Sequence, residues 1–169
     1  MLTRGLHTRG RFLPGYLMYL VLSAIALLIY TYLKKKTILN KSAEIYSLLQ
    51  STGLSEVLCK FATAQAAHET SAFSSSIFIQ NNNAFGMKWA GQINAKGEKS
   101  GYANYNSVNN SVADFVAWWT RKRSSLLSLP LYVNSIESYV RFLKNNNYFE
   151  DTEENYLKGC KYFYNQIFE

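Results

Sequence analysis

The chain has 169 residues, 48% of them hydrophobic, with 13 Tyr, 10 Phe and 3 Trp, which is material for one packed domain and an appendage. Seven of the 18 basic residues and none of the 11 acidic ones fall in residues 1–41, so the net charge of +7 is confined there and residues 42–169 are formally neutral. That distribution argues against a phosphate-tracking nucleic-acid surface. A single histidine outside the N-terminal tail, His68, and no Cys-x-x-Cys argue against a zinc site.

From Phe12 to Leu33 there are 22 residues without a charge. As a helix they span roughly 33 Å, against a bilayer hydrocarbon core of about 30 Å. Tyr16 and Tyr19 lie near one end and Tyr30 and Tyr32 near the other, where amphipathic rings favour the headgroup level. All-round apolarity between Arg and Lys disfavours a buried core helix. The run also exceeds the apolar region of a cleaved signal peptide, about 7–15 residues, and Thr31-Tyr32-Leu33-Lys34 offers no small-residue cleavage site. The reading is an uncleaved anchor: a basic tail over 1–11, a transmembrane helix over 12–33, a basic linker over 34–41 and a domain over 42–169. Arg4, Arg9 and Arg11 precede the span and Lys34, Lys35 and Lys36 follow it, so the positive-inside bias nearly cancels and leaves the orientation open.

Beyond the linker, Ser42–Gln50 reads as a short helix stopped by Thr52-Gly53. Ser55 caps a second helix to about Thr70, with Val57, Leu58, Phe61, Ala62, Ala64 and Ala66 at three- and four-residue spacing, and this helix is expected to be central to the core. Ser71–Ser107 shows little helical periodicity. Within it, Trp89–Gln92 and Gly101–Tyr105 are expected to pair across a turn at Asn94–Ser100. A third helix starts near Asn110, with Val112, Phe115, Val116 and Trp119 on one side, and Pro130 marks the loop that follows. Ser135–Lys144 is a further helix, and Asp151 with Glu154 resembles a capping box for the last one, ending near Ile167. The expected fold class is α+β, mostly α: a lysozyme-like helical domain with a small β-hairpin. Cys59 and Cys160 are read as buried small hydrophobes, with a disulfide in an extracytoplasmic domain as the alternative.

Glu69 closes the second helix within Gln65-Ala66-Ala67-His68-Glu69-Thr70-Ser71, and no basic residue stands three or four positions away to pair with it. A carboxyl there, at a helix C-terminus whose partial negative charge disfavours ionisation, is expected to keep its proton towards neutral pH, as a general acid must. Asn81-Asn82-Asn83-Ala84-Phe85-Gly86-Met87-Lys88 follows, with amides suited to sugar hydroxyl or acetamido groups and a glycine that admits close backbone approach. Gly101–Ser107 adds tyrosine faces suited to sugar rings.

Together these segments resemble a known family. Gln65–Ser71 looks like the "AQAxxESG" helix end of the bacterial glucosaminidases, glycoside hydrolase family seventy-three, which includes the flagellar peptidoglycan hydrolases. Asn83–Lys88 looks like that family's "NLFGIK" or "NLFGMK" box, Tyr102–Ser107 its "FRxYxS" strand and Ser111–Trp119 its "SxxDYxxxL" helix. The resemblance covers roughly residues 42–167. It implies that Glu69 is the catalytic acid and that Tyr105 helps position substrate or water. It further implies that Asn83, Phe85, Gly86, Lys88 and Tyr102 belong to the substrate cleft. Several members carry a second carboxylate in the lobe that here runs between Lys88 and Tyr102. Its one acid is Glu98, beside Gly97 in an expected turn, and is the candidate for that role. Assistance by the sugar's own acetamido group, needing Glu69 alone, is the alternative.

The resulting expectation is a peptidoglycan hydrolase of endo-β-N-acetylglucosaminidase type, without cofactor or metal. Its partners are the glycan strand and a lipid membrane, with no nucleic acid. The domain would face the periplasm or cell wall, or lie in a virion membrane if the chain is a phage lysin. The competing readings are a lytic transglycosylase or muramidase on the same glycan, and a wall-binding membrane structural protein without activity. His68-Glu69 has no second histidine four residues on, which removes the zinc protease reading.

Overall fold

The structure, a computed structural model, describes residues 15–124 and 133–169; the basic tail, the first residues of the expected span and Pro130 lie outside these. Two compact units divide the chain, Met1–Lys36 and Thr37–Glu169. One helix, α1 (Gly15–Ser51), runs through residues of both. In the first unit it is long and apolar enough to cross a membrane, and none of its apolar window is buried. In the second unit its residues Ile38, Ser42, Ile45 and Leu49 are buried along one stripe.

The expected linker over 34–41 and the separate short helix after it are therefore parts of one helix. The reason is local: no Gly or Pro interrupts Tyr16–Thr52, and Ile38 continues the apolar stripe of Ile45 and Leu49 backwards by two turns. Termination comes at Gly53, whose φ of +82° suits a residue without a Cβ.

Helix α2 (Glu56–Glu69) begins where Ser55 Oγ accepts from Leu58 N at 3.4 Å. Its residues Leu58, Phe61, Ala62, Ala66 and Ala67 are buried, and α6 packs along it. Just past its end, Thr70 Oγ1 donates to Ala66 O at 2.6 Å and accepts from Phe73 N at 3.0 Å. Ser71, Ala72 and Phe73 then take φ of 49°, 60° and 62°. Three successive non-glycine residues in the left-handed region turn the chain sharply and drop Phe73 into the core. A short helix absent from the expected pattern follows, α3 (Ser76–Asn81), capped by Ser75.

The hairpin pairs β1 (Ala95–Lys99) with β2 (Tyr102–Tyr105) antiparallel. The second strand is as expected. The first lies in the expected turn, while Trp89–Gln92 is outside the named strands and keeps one backbone bond to the expected partner, Trp89 N donating to Gly101 O at 3.0 Å. Ser100 and Gly101, at φ 58° and 81°, form a two-residue turn of the kind that matches hairpin twist. That turn fixes the register Lys99↔Tyr102, with an irregularity between Ala95 and Gly97.

Three further helices lie among the described residues of the second unit: α4 (Val108–Ser124), α5 (Ile136–Asn145) with its Ser135 capping box, and α6 (Glu153–Phe168). The cap of α6 is Thr152, whose side chain accepts from Asn155 N, rather than Asp151 as the sequence pattern suggests. Phe85 stacks on Phe115, centroids 3.9 Å apart and planes within 5°, and fastens α4 to the loop after α3. Cys59 and Cys160 are buried and free, so no disulfide joins them. The architecture is mostly helical with one two-stranded antiparallel sheet, the expected fold class.

Candidate active site

A cleft of about 620 Å³ opens beside the C-terminal end of α2. Glu69 stands on one side, with Gly86, Lys88 and Tyr102 from the box and hairpin; the loop between α5 and α6 contributes Glu150 and Asp151. Glu69 is the last residue of α2. Its Oε1 accepts a hydrogen bond from the Tyr156 hydroxyl on α6. Its Oε2 faces Gly86, where an added Cβ would stand 2.8 Å away. Gly86, at φ +60°, thus leaves the space that the carboxyl occupies.

Burial raises the pKa of Glu69 to about 7, and the hydrogen bond from Tyr156 opposes the rise by favouring the charged form. The neighbouring His68 does not supply a cation. Burial lowers its pKa, against the smaller influence of Asp151, and its ring sits edge-on to Tyr156 with centroids 4.9 Å apart. Gly159 of α6 meets the same ring, which is how close the two helices come at this point. A carboxyl that keeps its proton to neutral pH, at the side of an open cleft, is equipped to donate that proton to a bound ligand's oxygen.

Not every residue expected here reaches the cleft. Asn83 is fully buried: its Nδ2 donates to Met87 O at 2.9 Å and Ala103 O at 3.0 Å, while its Oδ1 accepts from Met87 N at 3.1 Å. Asn81 and Asn82 likewise donate to Lys99 O and Tyr105 O, each at 3.0 Å. The asparagine run therefore ties the hairpin to α3, and its amides are not left for a sugar. Phe85 is core, held on Phe115. Tyr105 is fully buried behind Met87, its hydroxyl 3.8 Å from the Met87 sulfur, so it does not touch the cleft. Its burial and the adjacent Asp114 push the phenol pKa upward.

Glu98 is exposed in β1, and its Oε1 accepts from Gly101 N at 2.6 Å, so this carboxylate braces the hairpin turn instead of lining the cleft. The residues that sequence reasoning missed come from 147–156. Tyr148 donates to Phe85 O at 2.7 Å, and Phe149 stacks on Tyr156 at 3.7 Å with planes within 1°. Glu150 pairs with Lys88 at 2.5 Å. The signal available was a polar and aromatic loop carrying two adjacent acids, Asn145–Asp151. Among the described residues no group of three or more His, Cys, Asp and Glu is arranged to hold a metal ion.

Comparison with known proteins agrees with this architecture. A type VI secretion system effector–immunity complex from Pseudomonas protegens contains a chain of similar fold. The TM-score is 0.59 at 13% identity, covering 79% of this chain and 93% of that one. No curated protein matches the chain. The family model for Glucosaminidase, described as mannosyl-glycoprotein endo-beta-N-acetylglucosaminidase, matches residues 47–167, which include the whole cleft. The chain belongs to the glucosaminidase family and is a glycoside hydrolase acting on peptidoglycan.

Proposed function

We propose that the chain is a membrane-anchored endo-β-N-acetylglucosaminidase in which Glu69 is the general acid. The observation that carries this is a buried carboxyl at the side of an open cleft, held between Tyr156 and Gly86, whose burial raises its pKa to about 7. Glu69 protonates the glycosidic oxygen after an N-acetylglucosamine unit of the glycan strand, and Gly86 and Tyr156 hold its carboxyl in place. Lys88 and Tyr102 flank the bound strand. The anchoring half rests on α1, apolar and unburied over its first unit, with residues 12–33 as the span and the hydrolase domain on the glycan side of the membrane.

One preparation tests both halves. The full chain is expected to stay in membranes washed at alkaline pH and, once in detergent, to release fragments with N-acetylglucosamine reducing ends from purified peptidoglycan, read by mass spectrometry. Release into the wash would overturn the anchor. Anhydro-muramic ends would overturn the glucosaminidase assignment in favour of a lytic transglycosylase.

A second expectation concerns pH. As a general acid Glu69 must be protonated, so activity falls as pH rises through about 7. Tyr156→Phe removes the donor that favours the ionised carboxylate, so the Glu69 pKa moves further up and the basic limb of the kcat/KM profile shifts to higher pH. A limb that stays in place would show that another group titrates there.

A further inference from the structure

With Glu98 engaged at the hairpin turn, the acids that share the cleft with Glu69 are Glu150 and Asp151. Their situations differ. Glu150 is joined to Lys88 Nζ at 2.5 Å. Asp151 makes no ion pair among the described residues. Its Oδ1 accepts from Thr152 N at 2.7 Å and from Asn155 Nδ2 at 3.2 Å, while its Oδ2 takes no hydrogen bond among the described residues.

The loop bearing Asp151 is tied to the same groups that hold Glu69. Tyr148 bonds the carbonyl of Phe85, the residue before Gly86, and Phe149 stacks on the Tyr156 ring whose hydroxyl bonds Glu69. Lys144 Nζ donates to the carbonyls of Glu150 at 3.2 Å and Asp151 at 2.6 Å, lying over the Phe149 ring. Such cross-bracing is what a site needs if two groups must act on one bond in fixed relation.

We propose that Asp151 is the second catalytic carboxylate, the general base that activates the attacking water; this rests on Glu69 being the acid. In one step the water oxygen bonds to the anomeric carbon as that carbon's bond to the glycosidic oxygen breaks. The leaving oxygen takes the Glu69 proton, and Asp151 takes a proton from the water. One water is consumed, and solvent exchange returns both carboxyls to their starting states. Attack from the face opposite the leaving group inverts the anomeric centre, so a β-linkage yields an α product.

The test uses the full chain in detergent, comparing wild type, Asp151→Asn, Asp151→Ala and Glu69→Gln for glycan cleavage, melting, product anomer by proton NMR and rescue by azide. Asn preserves the acceptor oxygen that Thr152 and Asn155 use, so Asp151→Asn should melt like wild type yet lose about 10²–10⁴ in rate. Wild type should release the α anomer first. Azide should restore turnover to Asp151→Ala by forming a glycosyl azide, which a merely structural aspartate would not permit. If Asp151→Ala does not fold, the Asn variant and the anomer decide. Near-normal rate in Asp151→Asn, or a β anomer as first product, overturns the inference while a dead Glu69→Gln leaves the acid assignment standing. A wild type that leaves glycan intact overturns both.

Discussion

Glu69→Gln is expected to abolish glycan cleavage while leaving the domain folded. Gln keeps the length of Glu and an oxygen that accepts the Tyr156 hydrogen bond, but it has no proton to give to a leaving oxygen. General acid assistance is typically worth about 10²–10⁴ in rate, or roughly 3–5 kcal/mol of barrier, so the loss should be plain in a turbidity assay. Stability carries a separate and signed expectation. The folded carboxyl holds its proton to about pH 7, against an ordinary value of 4.5. Stability from keeping the carboxyl neutral is complete below pH 4.5 and is lost as pH rises through about 7, because ionising Glu69 in its buried setting is unfavourable. Gln never ionises. The variant should therefore melt with wild type below pH 4.5 and above it beyond pH 7. Near-normal cleavage by Glu69→Gln would sink the assignment of the acid.

What could be read from the sequence was local. The Ser55 cap, the apolar spacing of α2 and the position of Glu69 at its end depend on neighbours within a few residues, and the structure has all three. The cause of Glu69's retained proton was less legible. Sequence offers the helix terminus, whereas in the fold the main cause is burial, with a tyrosine 87 residues away as the moderating donor. The same gap explains Asn83. An amide next to a glycine suits a sugar or a carbonyl equally, and only the arrival of β2 decides that Met87 and Ala103 satisfy it. Tyr105 follows the strand's alternation: Ala103 and Tyr105 are buried while Tyr102 and Asn104 are not, so Tyr102 is the strand tyrosine that meets the cleft. Asp151 was legible as an acid near a helix start, with nothing in its surroundings to say that the helix docks on α2 and turns that start towards Glu69.

Gly86→Ala should separate the position of the acid from its chemistry. At φ +60° an alanine costs about 1–2 kcal/mol in backbone strain, enough to lower the melting temperature by a few degrees without preventing folding. The larger consequence lies 2.8 Å from the new Cβ, where Glu69 Oε2 stands. Backbone on that side is fixed by Asn83 and Tyr148, so the carboxyl end is the part that can yield. It must swing away, loosening the bond from Tyr156 and leaving the geometry needed for proton delivery. A displacement of about 1 Å in a reacting group costs on the order of 10²-fold in rate. The expected result is a folded variant, slightly less stable, in which kcat falls by about that factor while KM changes little, since the walls of the cleft remain. A fall confined to KM would place Gly86 in substrate contact alone, as the sequence first suggests. Wild-type kcat in Gly86→Ala would mean that the carboxyl's position against Gly86 is not the one in which Glu69 works.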